Sequence, residues 1–407
     1  MKSYMFVTPF RGAAAAMALL AHLGTGPVQA SAGAEPAAQI DDDTAIAARI
    51  DRAAIQAIKA GESVGLQIAV VRNGKELLVS GYGSADLEQA AKVTAETVFR
   101  VGSVTKQFTA AAILLLAEDG KLSVDDRLSK FFPDFPRGGE ITLRQMLTHT
   151  SGLRDFTGDP AYAKDSLGEI LVDDMVTHIK ALSPLYEFEP GTAWSYSNSA
   201  YFMLGAIVAK VSGKPFGDFL KERLFDRLGM ARTAMDDLAD IVPQRASGYE
   251  AVPHKRHLFR NARSSAMSWI GGAGALRSTA ADLAKWADAL HGGRVLKPAS
   301  YAMMIRPALL KNGQPVSTAP TAAPLKFMHA EYGFGLLVGS LEGHQKIGHG
   351  GGIEGFAASL NSYPAKGVTI VVLSNTIGGP AGAGTGKVAE KIERIAIGAP
   401  PAAASTP

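Results

Sequence analysis

One segment constrains the fold of this chain more than any other: a run of residues with the character of a fully buried helix. From Phe108 to Ala117 every side chain but one is apolar, so a helix here has no polar face and must lie inside a domain. Residues 97–101 before it form a short extended segment, and Gly102 separates the two. The pattern predicts a central buried helix with Ser103 as its N-cap.

Ser103 and Lys106 lie three residues apart at the start of this helix, which places them on one helical face. A serine hydroxyl beside a lysine amine suits a nucleophile next to its proton acceptor. The free backbone N–H groups of a helix N-terminus can stabilise a developing oxyanion. The same pair is also compatible with a capping serine and a lysine that reaches the surface, so other segments must decide.

The composition bounds the kind of protein. The chain has 407 residues, 47% hydrophobic and 19% charged, which is typical of a globular protein with two lobes or one large mixed fold. It contains no cysteine, which excludes disulfides, thiolate metal sites and lipid-modified cysteine anchors. We expect no cofactor, no metal site and no membrane anchor.

The first 30 residues have the pattern of a signal peptide. Lys2 and Arg11 supply a basic region, residues 13–23 a mostly apolar run too short to span a bilayer, and Val28-Gln29-Ala30 a small-residue cleavage site. We expect residues 1–30 to be removed, residues 31–40 to form a linker, and the protein to be periplasmic or secreted.

The net charge argues against a highly charged partner. Two of the 41 basic residues and none of the 38 acidic residues fall in the predicted signal peptide, so the mature chain is close to neutral. A near-neutral protein is not expected to bind nucleic acid or an anionic membrane as its main partner.

The rest of the chain has sheet-forming ends around a helical middle. A helix is predicted at residues 41–60, followed by a hairpin of residues 64–71 and 76–82 around Asn73-Gly74. Residues 120–264 are mostly helical. Late strands and a closing helix are predicted at residues 332–338, 345–349, 357–363, 368–373 and 387–397.

These elements predict an α+β fold in which an antiparallel sheet is flanked by helices and joined to an all-helical lobe. One domain, residues 41–397, then consists of an α/β lobe, residues 41–119 and 265–397, and a helical lobe, residues 120–264. Residues 398–407 form a disordered tail.

A second serine motif is present but has the wrong context. Gly61-Glu62-Ser63-Val64-Gly65 matches the Gly-x-Ser-x-Gly pattern of a nucleophile elbow, which requires a strand that leads into a helix. Ser63 instead follows a predicted helix and precedes a predicted strand. We therefore reject Ser63 as a nucleophile.

Two further segments carry candidate chemistry. Tyr196-Ser197-Asn198 follows a Pro-Gly turn; a phenol can act as an acid or base if a nearby cation lowers its pKa, and a carboxamide can hold a substrate amide or carbonyl. The alternative is a turn followed by an asparagine N-cap.

His349-Gly350-Gly351-Gly352 lies between strand-like runs, where glycines let another backbone or a ligand approach closely.

The three segments, in this order, resemble the serine β-lactamase and penicillin-binding-protein superfamily, specifically its class C-like branch, over roughly residues 43–397. The resemblance implies that Ser103 is the acylated nucleophile, Lys106 its proton acceptor and Tyr196 the general base. It also implies substrate contacts by Asn198, His349, Gly351 and Gly352, with the backbone N–H groups of Ser103 and Gly352 as the oxyanion hole.

One departure from that family bears on the substrate. The third motif of β-lactamases begins with a lysine, whereas this chain has His349, which is mostly neutral near pH 7. We therefore predict a monomeric or weakly associating serine hydrolase that acts on a small ester, amide or peptide. The alternatives are a true class C β-lactamase or peptidoglycan DD-peptidase, and an inactive relative that binds peptidoglycan-like ligands.

Overall fold

The computed structural model describes residues 43–402 except residues 254, 256 and 379–384. The predicted signal peptide, residues 1–30, and the linker, residues 31–40, lie outside the described residues. Of the predicted tail, only residues 398–402 are described.

An eight-stranded antiparallel sheet forms the centre of the fold, in the order β3-β2-β1-β13-β12-β11-β10-β9. Its strands are β1 Gly65–Arg72, β2 Lys75–Asp86, β3 Ala91–Lys92, β9 Ala330–Tyr332, β10 Leu337–Leu341, β11 His344–Ile353, β12 Phe356–Tyr363 and β13 Val368–Ser374. Two small sheets are built from β4 Phe99–Arg100, β5 Ala234–Met235 and β8 Leu276–Ser278, and from β6 Tyr249–Ala251, β7 Phe259–Asn261 and β14 Thr376–Ile377.

Twelve helices are present among the described residues. They are α1 Asp43–Lys59, α2 Thr105–Glu118, α3 Leu143–Leu147, α4 Pro160–Asp165, α5 Val172–Lys180, α6 Asn198–Ser212, α7 Phe216–Leu220, α8 Asp226–Leu228, α9 Ala280–His291, α10 Pro298–Met304, α11 Ala323–Phe327 and α12 Thr385–Ile397. A π-helical turn, Lys221–Phe225, joins α7 to α8. Within the described part of the chain, no helix is both long and apolar enough to cross a membrane.

Both faces of the sheet are covered, which explains why its central strands β1, β12 and β13 are mostly buried. Successive residues of a strand point to opposite faces: Ile68 and Ile370 pack with α1 and α12 in one hydrophobic cluster. Val371 packs on the other side in the main cluster with α2, α6 and α9. The predicted α+β fold, with an antiparallel sheet flanked by helices, is confirmed.

The predicted central helix is also confirmed, because every residue of α2 from Thr105 to Leu116 is buried. The prediction that Ser103 caps this helix is wrong. A 3₁₀ turn, Gly102–Val104, precedes α2, and Val104 occupies the N-cap position without a side-chain hydrogen bond. The hydroxyl of Ser103 is thus not engaged in capping.

Two strand predictions differ from the structure. The predicted strand at residues 332–338 is two strands, β9 and β10, separated by a turn in which Gly335 has a φ of 67°. The strand predicted to end at His349 continues through three glycines to Ile353, because Gly350, Gly351 and Gly352 pair with β12. Tertiary pairing here overrides the weak strand propensity of glycine.

The helical middle contains more than helices. Residues 120–264 contribute α3 to α8 together with the short strands β5, β6 and β7. The division of the domain into two lobes stays a prediction.

Candidate active site

The rejected serine and the candidate serine have opposite surroundings. Ser63 is 2% exposed and its hydroxyl contacts the Gly65 carbonyl and the Ser374 hydroxyl, each at 2.8 Å. Ser103 is partly exposed, between the buried residues Gly102 and Val104. A nucleophile must be reachable by substrate, so only Ser103 has the required accessibility.

A close approach of two backbones places Ser103 beside β11. Gly102 has a φ of 51°, and a Cβ atom there would lie 2.9 Å from the Gly352 nitrogen. A Cβ atom at Gly351 would lie 2.0 Å from the Val101 carbonyl oxygen and 3.1 Å from the Ser103 nitrogen. Glycine is needed at these positions because any side chain would push β11 away from the 3₁₀ turn.

In the part of the chain that the structure describes, no strand pairs with the edge of β11 that carries these glycines. β10 pairs with β11 only as far as Leu337 opposite Gly348, whereas β12 continues to pair on the other side up to Ile353. Residues 349–353 therefore present one edge next to Ser103. The assignment of the Ser103 and Gly352 N–H groups as an oxyanion hole stays a prediction.

The amine of Lys106 lies in the interior, next to the hydroxyl of Ser103. Lys106 is 0% exposed, and its Nζ lies 3.2 Å from Ser103 Oγ. It donates to Asn198 Oδ1 and to the Ala273 carbonyl oxygen, each at 2.7 Å. Burial lowers the pKa of Lys106 to about 7, although the negative charge of Asp155 opposes this.

The three contacts of this amine define its chemistry. A neutral amine has two N–H donors and one lone pair, and the oxygens of Asn198 and Ala273 can only accept. Both N–H groups are therefore used, and the lone pair is left to accept the proton of the Ser103 hydroxyl. The arrangement is that of a nucleophile hydrogen-bonded to its base.

Tyr196 lies over the same amine. The Lys106 Nζ is 4.6 Å from the centroid of the Tyr196 ring, and the Tyr196 hydroxyl is buried without a hydrogen-bond partner among the described residues. Burial raises the pKa of the Tyr196 phenol well above its usual 10, and the nearby Ser103 hydroxyl only partly opposes this rise. Its role as a general base stays a prediction.

Asn198 is held by a carboxylate that the sequence did not single out. Asn198 is the first residue of α6, and its Nδ2 donates to Asp155 Oδ2 at 3.1 Å and to Oδ1 at 3.3 Å. Its backbone N–H also donates to Asp155 Oδ1 at 3.3 Å. With its nitrogen engaged by Asp155, the amide of Asn198 turns its oxygen toward Lys106.

His349 faces the protein interior in a chain of three buried side chains. It is 1% exposed; its Nε2 lies 2.9 Å from the Tyr332 hydroxyl and its Nδ1 contacts the Gly350 carbonyl oxygen. The Tyr332 hydroxyl also lies 3.1 Å from His149 Nε2, and His149 Nδ1 accepts from the Ser197 N–H at 3.1 Å.

The partners at each end fix the direction of these hydrogen bonds. His149 Nδ1 must accept from the Ser197 N–H, so His149 Nε2 carries the proton and donates to Tyr332. His349 Nδ1 must donate to the Gly350 carbonyl, so Tyr332 donates to His349 Nε2. Burial lowers the pKa of His349 to about 3 and that of His149 well below 6.5, with Lys106 adding to both effects.

The chain of hydrogen bonds is thus neutral, and it packs against Tyr196, whose ring centroid is 4.3 Å from that of His149. Both ring nitrogens of His349 have protein partners. A direct contact between His349 and a substrate requires one of these bonds to break, and such a contact stays a prediction.

The structure therefore brings Ser103, Lys106, Tyr196 and Asn198 together, with Gly351 and Gly352 at the adjacent strand edge and His349 beneath it. Sequence reasoning missed Asp155 and Tyr332, because neither carries a local pattern that distinguishes it. His149 is 0% exposed and therefore lies out of reach of a substrate. Among the described residues, no group of three His, Asp or Glu side chains could hold a metal ion.

Comparison with known proteins identifies the family. A model of the Beta-lactamase family matches residues 50–391. The chain belongs to this family. PbpX of Bacillus subtilis (strain 168), a Beta-lactamase relative named as a penicillin-binding protein, is 32% identical over 310 residues, which cover 76% of this chain and 69% of PbpX.

Two further Beta-lactamase relatives have names that describe hydrolysis of D-amino acid derivatives. A D-aminopeptidase of Gluconobacter oxydans is 28% identical over 322 residues, 76% of this chain, and the match spans 55% of that enzyme. The D-amino acid amidase from Ochrobactrum anthropi SV3, solved with L-phenylalanine, aligns with a TM-score of 0.71 and 25% identity over 87% of this chain and 98% of its own. The chain is a serine hydrolase of the Beta-lactamase family.

Proposed function

We propose that this protein forms an acyl-enzyme at Ser103 with a small amide or ester, and that derivatives of D-amino acids are its preferred substrates. The observation that carries the proposal is the lone pair of Lys106, which the acceptors Asn198 and Ala273 leave free for the Ser103 hydroxyl at 3.2 Å. The names of the relatives support the choice of substrate class.

The first chemical step follows from this contact. Lys106 Nζ takes the proton of the Ser103 hydroxyl while Oγ attacks the substrate carbonyl carbon. The carbonyl oxygen becomes an oxyanion next to the N–H groups of Ser103 and Gly352. The bond to the leaving amine or alcohol then breaks, and that group receives a proton through Tyr196 or Lys106.

Deacylation repeats the sequence with water as the nucleophile. Water gives a proton to the same base, its oxygen attacks the acyl carbon, and Ser103 Oγ leaves as the hydroxyl. The reaction needs no redox step. A pKa of Lys106 of about 7 leaves a large neutral fraction at physiological pH.

The charges around the site favour substrates without an essential carboxylate. His349 stands where a β-lactamase has a lysine, and burial keeps it neutral. A carboxylate of a penicillin or of a D-alanyl-D-alanine peptide therefore lacks that cation as a partner. For this reason, β-lactamase or DD-peptidase activity is our second candidate function.

Intact-mass spectrometry distinguishes these possibilities. The protein is mixed with short-chain esters, D- and L-amino acid amides, and benzylpenicillin, and its mass is followed together with product release; Ser103→Ala is the control. We expect turnover of D-amides or esters and a mass increase that requires Ser103. Rapid turnover of benzylpenicillin alone contradicts the proposed substrate, and ligand binding without turnover favours the binding-protein alternative.

We also propose that the protein is exported and cleaved after Ala30, on the pattern of residues 1–30. N-terminal sequencing of protein recovered from the periplasm or medium should begin at Ser31. Recovery of a chain that still begins at Met1 contradicts the cleavage. Light scattering on the mature protein tests the expectation of a monomer or weak oligomer.

A further inference from the structure

We infer that Asp155 is a positioning residue for catalysis: it sets the orientation of the Asn198 amide and thereby directs the lone pair of Lys106 at Ser103. The inference rests on the proposed acylation of Ser103 by Lys106. Asp155 itself contacts neither Ser103 nor Lys106 through a hydrogen bond; it acts through Asn198.

The argument begins with the symmetry of a carboxamide. The side chain of Asn198 can present either its oxygen or its NH₂ group to Lys106, and the two orientations have nearly the same shape. Only the oxygen accepts from Nζ at the observed 2.7 Å. If Asn198 presents its NH₂ group instead, Lys106 Nζ loses one of its two acceptors. The lone pair of Nζ then turns toward the NH₂ group and away from the Ser103 hydroxyl.

Burial raises the pKa of the Asp155 carboxyl, while hydrogen bonds from Thr157 and Asn198 and the charge of Lys106 oppose the rise. In its ionised form the carboxylate only accepts hydrogen bonds, and it thereby removes this ambiguity. Its two oxygens lie 3.1 and 3.3 Å from Asn198 Nδ2. Oδ1 also accepts from the backbone N–H groups of Asn198 and Thr157, at 3.3 and 3.1 Å. The backbone contacts anchor the carboxylate at the start of α6, so the amide nitrogen of Asn198 can only face it.

The charge of Asp155 has a second effect that can be measured separately. It raises the pKa of Lys106, against the larger lowering by burial. Among the described residues, the other titratable groups that face Lys106 are the buried side chains Tyr196, Tyr201, His149 and His349. All four are uncharged near neutral pH, because burial raises the pKa of the tyrosines and lowers that of the histidines. On its far side Asp155 faces Tyr162, whose hydroxyl contacts Glu354. The charge of Arg263 lowers the pKa of Tyr162, against the larger rise caused by burial.

Two substitutions separate orientation from charge. Asp155→Asn keeps an oxygen that can accept from Asn198 Nδ2 but removes the charge. Asp155→Ala removes both. Asp159→Asn is the matched control, since Asp159 also accepts a backbone N–H, from Ala161 at 2.8 Å, at the start of a neighbouring helix.

The test is the pH dependence of kcat/KM on a D-amino acid amide or short ester, with enzyme concentration set by active-site titration so that only folded sites are counted. We expect Asp155→Asn to move the acidic limb of the profile to lower pH by roughly 0.5 to 1 unit. We expect Asp155→Ala to lose about 100-fold in kcat at every pH, as for a misplaced catalytic group. Asp159→Asn should keep the wild-type limb.

The outcomes are distinct. An acidic limb that Asp155→Asn leaves in place, or equal kcat for the Asn and Ala variants, overturns the inference. If Asp155→Ala shows no cooperative unfolding transition, it is not folded, and its kcat is not used. The shift of the acidic limb of the pH profile in Asp155→Asn then decides alone. A wild-type enzyme that never acylates Ser103 refutes the proposed function instead, which is recognised before any Asp155 variant is made.

Discussion

Replacing Lys106 by methionine should change the pH dependence of stability in a direction that the geometry fixes. The folded protein holds this amine neutral above about pH 7 because burial lowers its pKa to about 7. The unfolded chain keeps the same amine protonated up to about pH 10.4. Unfolding therefore takes up a proton between these two values, and the free energy of unfolding of the wild type rises with pH across the window.

The size of the effect follows from one proton. Each pH unit well inside the window contributes about 1.4 kcal/mol, and slightly less near its edges, so the wild type should gain about 2.5 kcal/mol relative to Lys106→Met between pH 7.5 and 9.5. Other groups that titrate in this range are common to both proteins and cancel in the difference. The oxygens of Asn198 and Ala273 lose their donor in Lys106→Met, which costs about 1–3 kcal/mol each. Because this cost is the same at every pH, it shifts the difference by a constant and does not change its slope.

Urea unfolding followed by circular dichroism at pH 7.5, 8.5 and 9.5 measures the difference. We expect the free energy of unfolding of the wild type minus that of Lys106→Met to increase steadily with pH. Parallel curves, with a constant difference, would mean that folding does not change the protonation of Lys106. That result would remove the basis for assigning Lys106 as the proton acceptor.

Two further predictions concern β11. In His349→Lys we compare kcat/KM for a carboxylate-bearing substrate with kcat/KM for its matched neutral analogue. The ratio should rise roughly tenfold, because the lysine can form a charge-assisted hydrogen bond with the carboxylate. An unchanged ratio would show that another residue holds the carboxylate. Gly351→Ala should abolish turnover, because its Cβ would lie 2.0 Å from the Val101 carbonyl oxygen. Gly350→Ala should keep activity, because its nearest contact is 3.6 Å; equal rates for the two alanine variants would contradict the close approach of β11 to Ser103.

Local patterns predicted the elements whose causes are local. The hairpin turn forms at Asn73 and Gly74, which both have positive φ as a two-residue hairpin requires. The apolar run after Ser103 forms the buried helix because no polar face is available to meet water.

The remaining features depend on contacts between distant segments. Gly350 to Gly352 become a strand only because β12 pairs with them. Asp155 and Asn198 are 43 residues apart in the chain, and Tyr332 joins two histidines that lie 183 and 17 residues from it. No periodicity or short motif encodes such pairs, so the order of the three motifs predicted the candidate site residues but not the residues hydrogen-bonded to them.

The most direct test of the account is labelling with a fluorophosphonate that reacts only with activated serines, followed by peptide mapping. The wild type should carry one label, on Ser103, and the rate of labelling should fall below about pH 7 as Lys106 becomes protonated. Ser103→Ala should not be labelled and should unfold at nearly the same urea concentration as the wild type. A label on Ser63, or labelling that persists in Ser103→Ala, would contradict the assignment of Ser103 as the nucleophile.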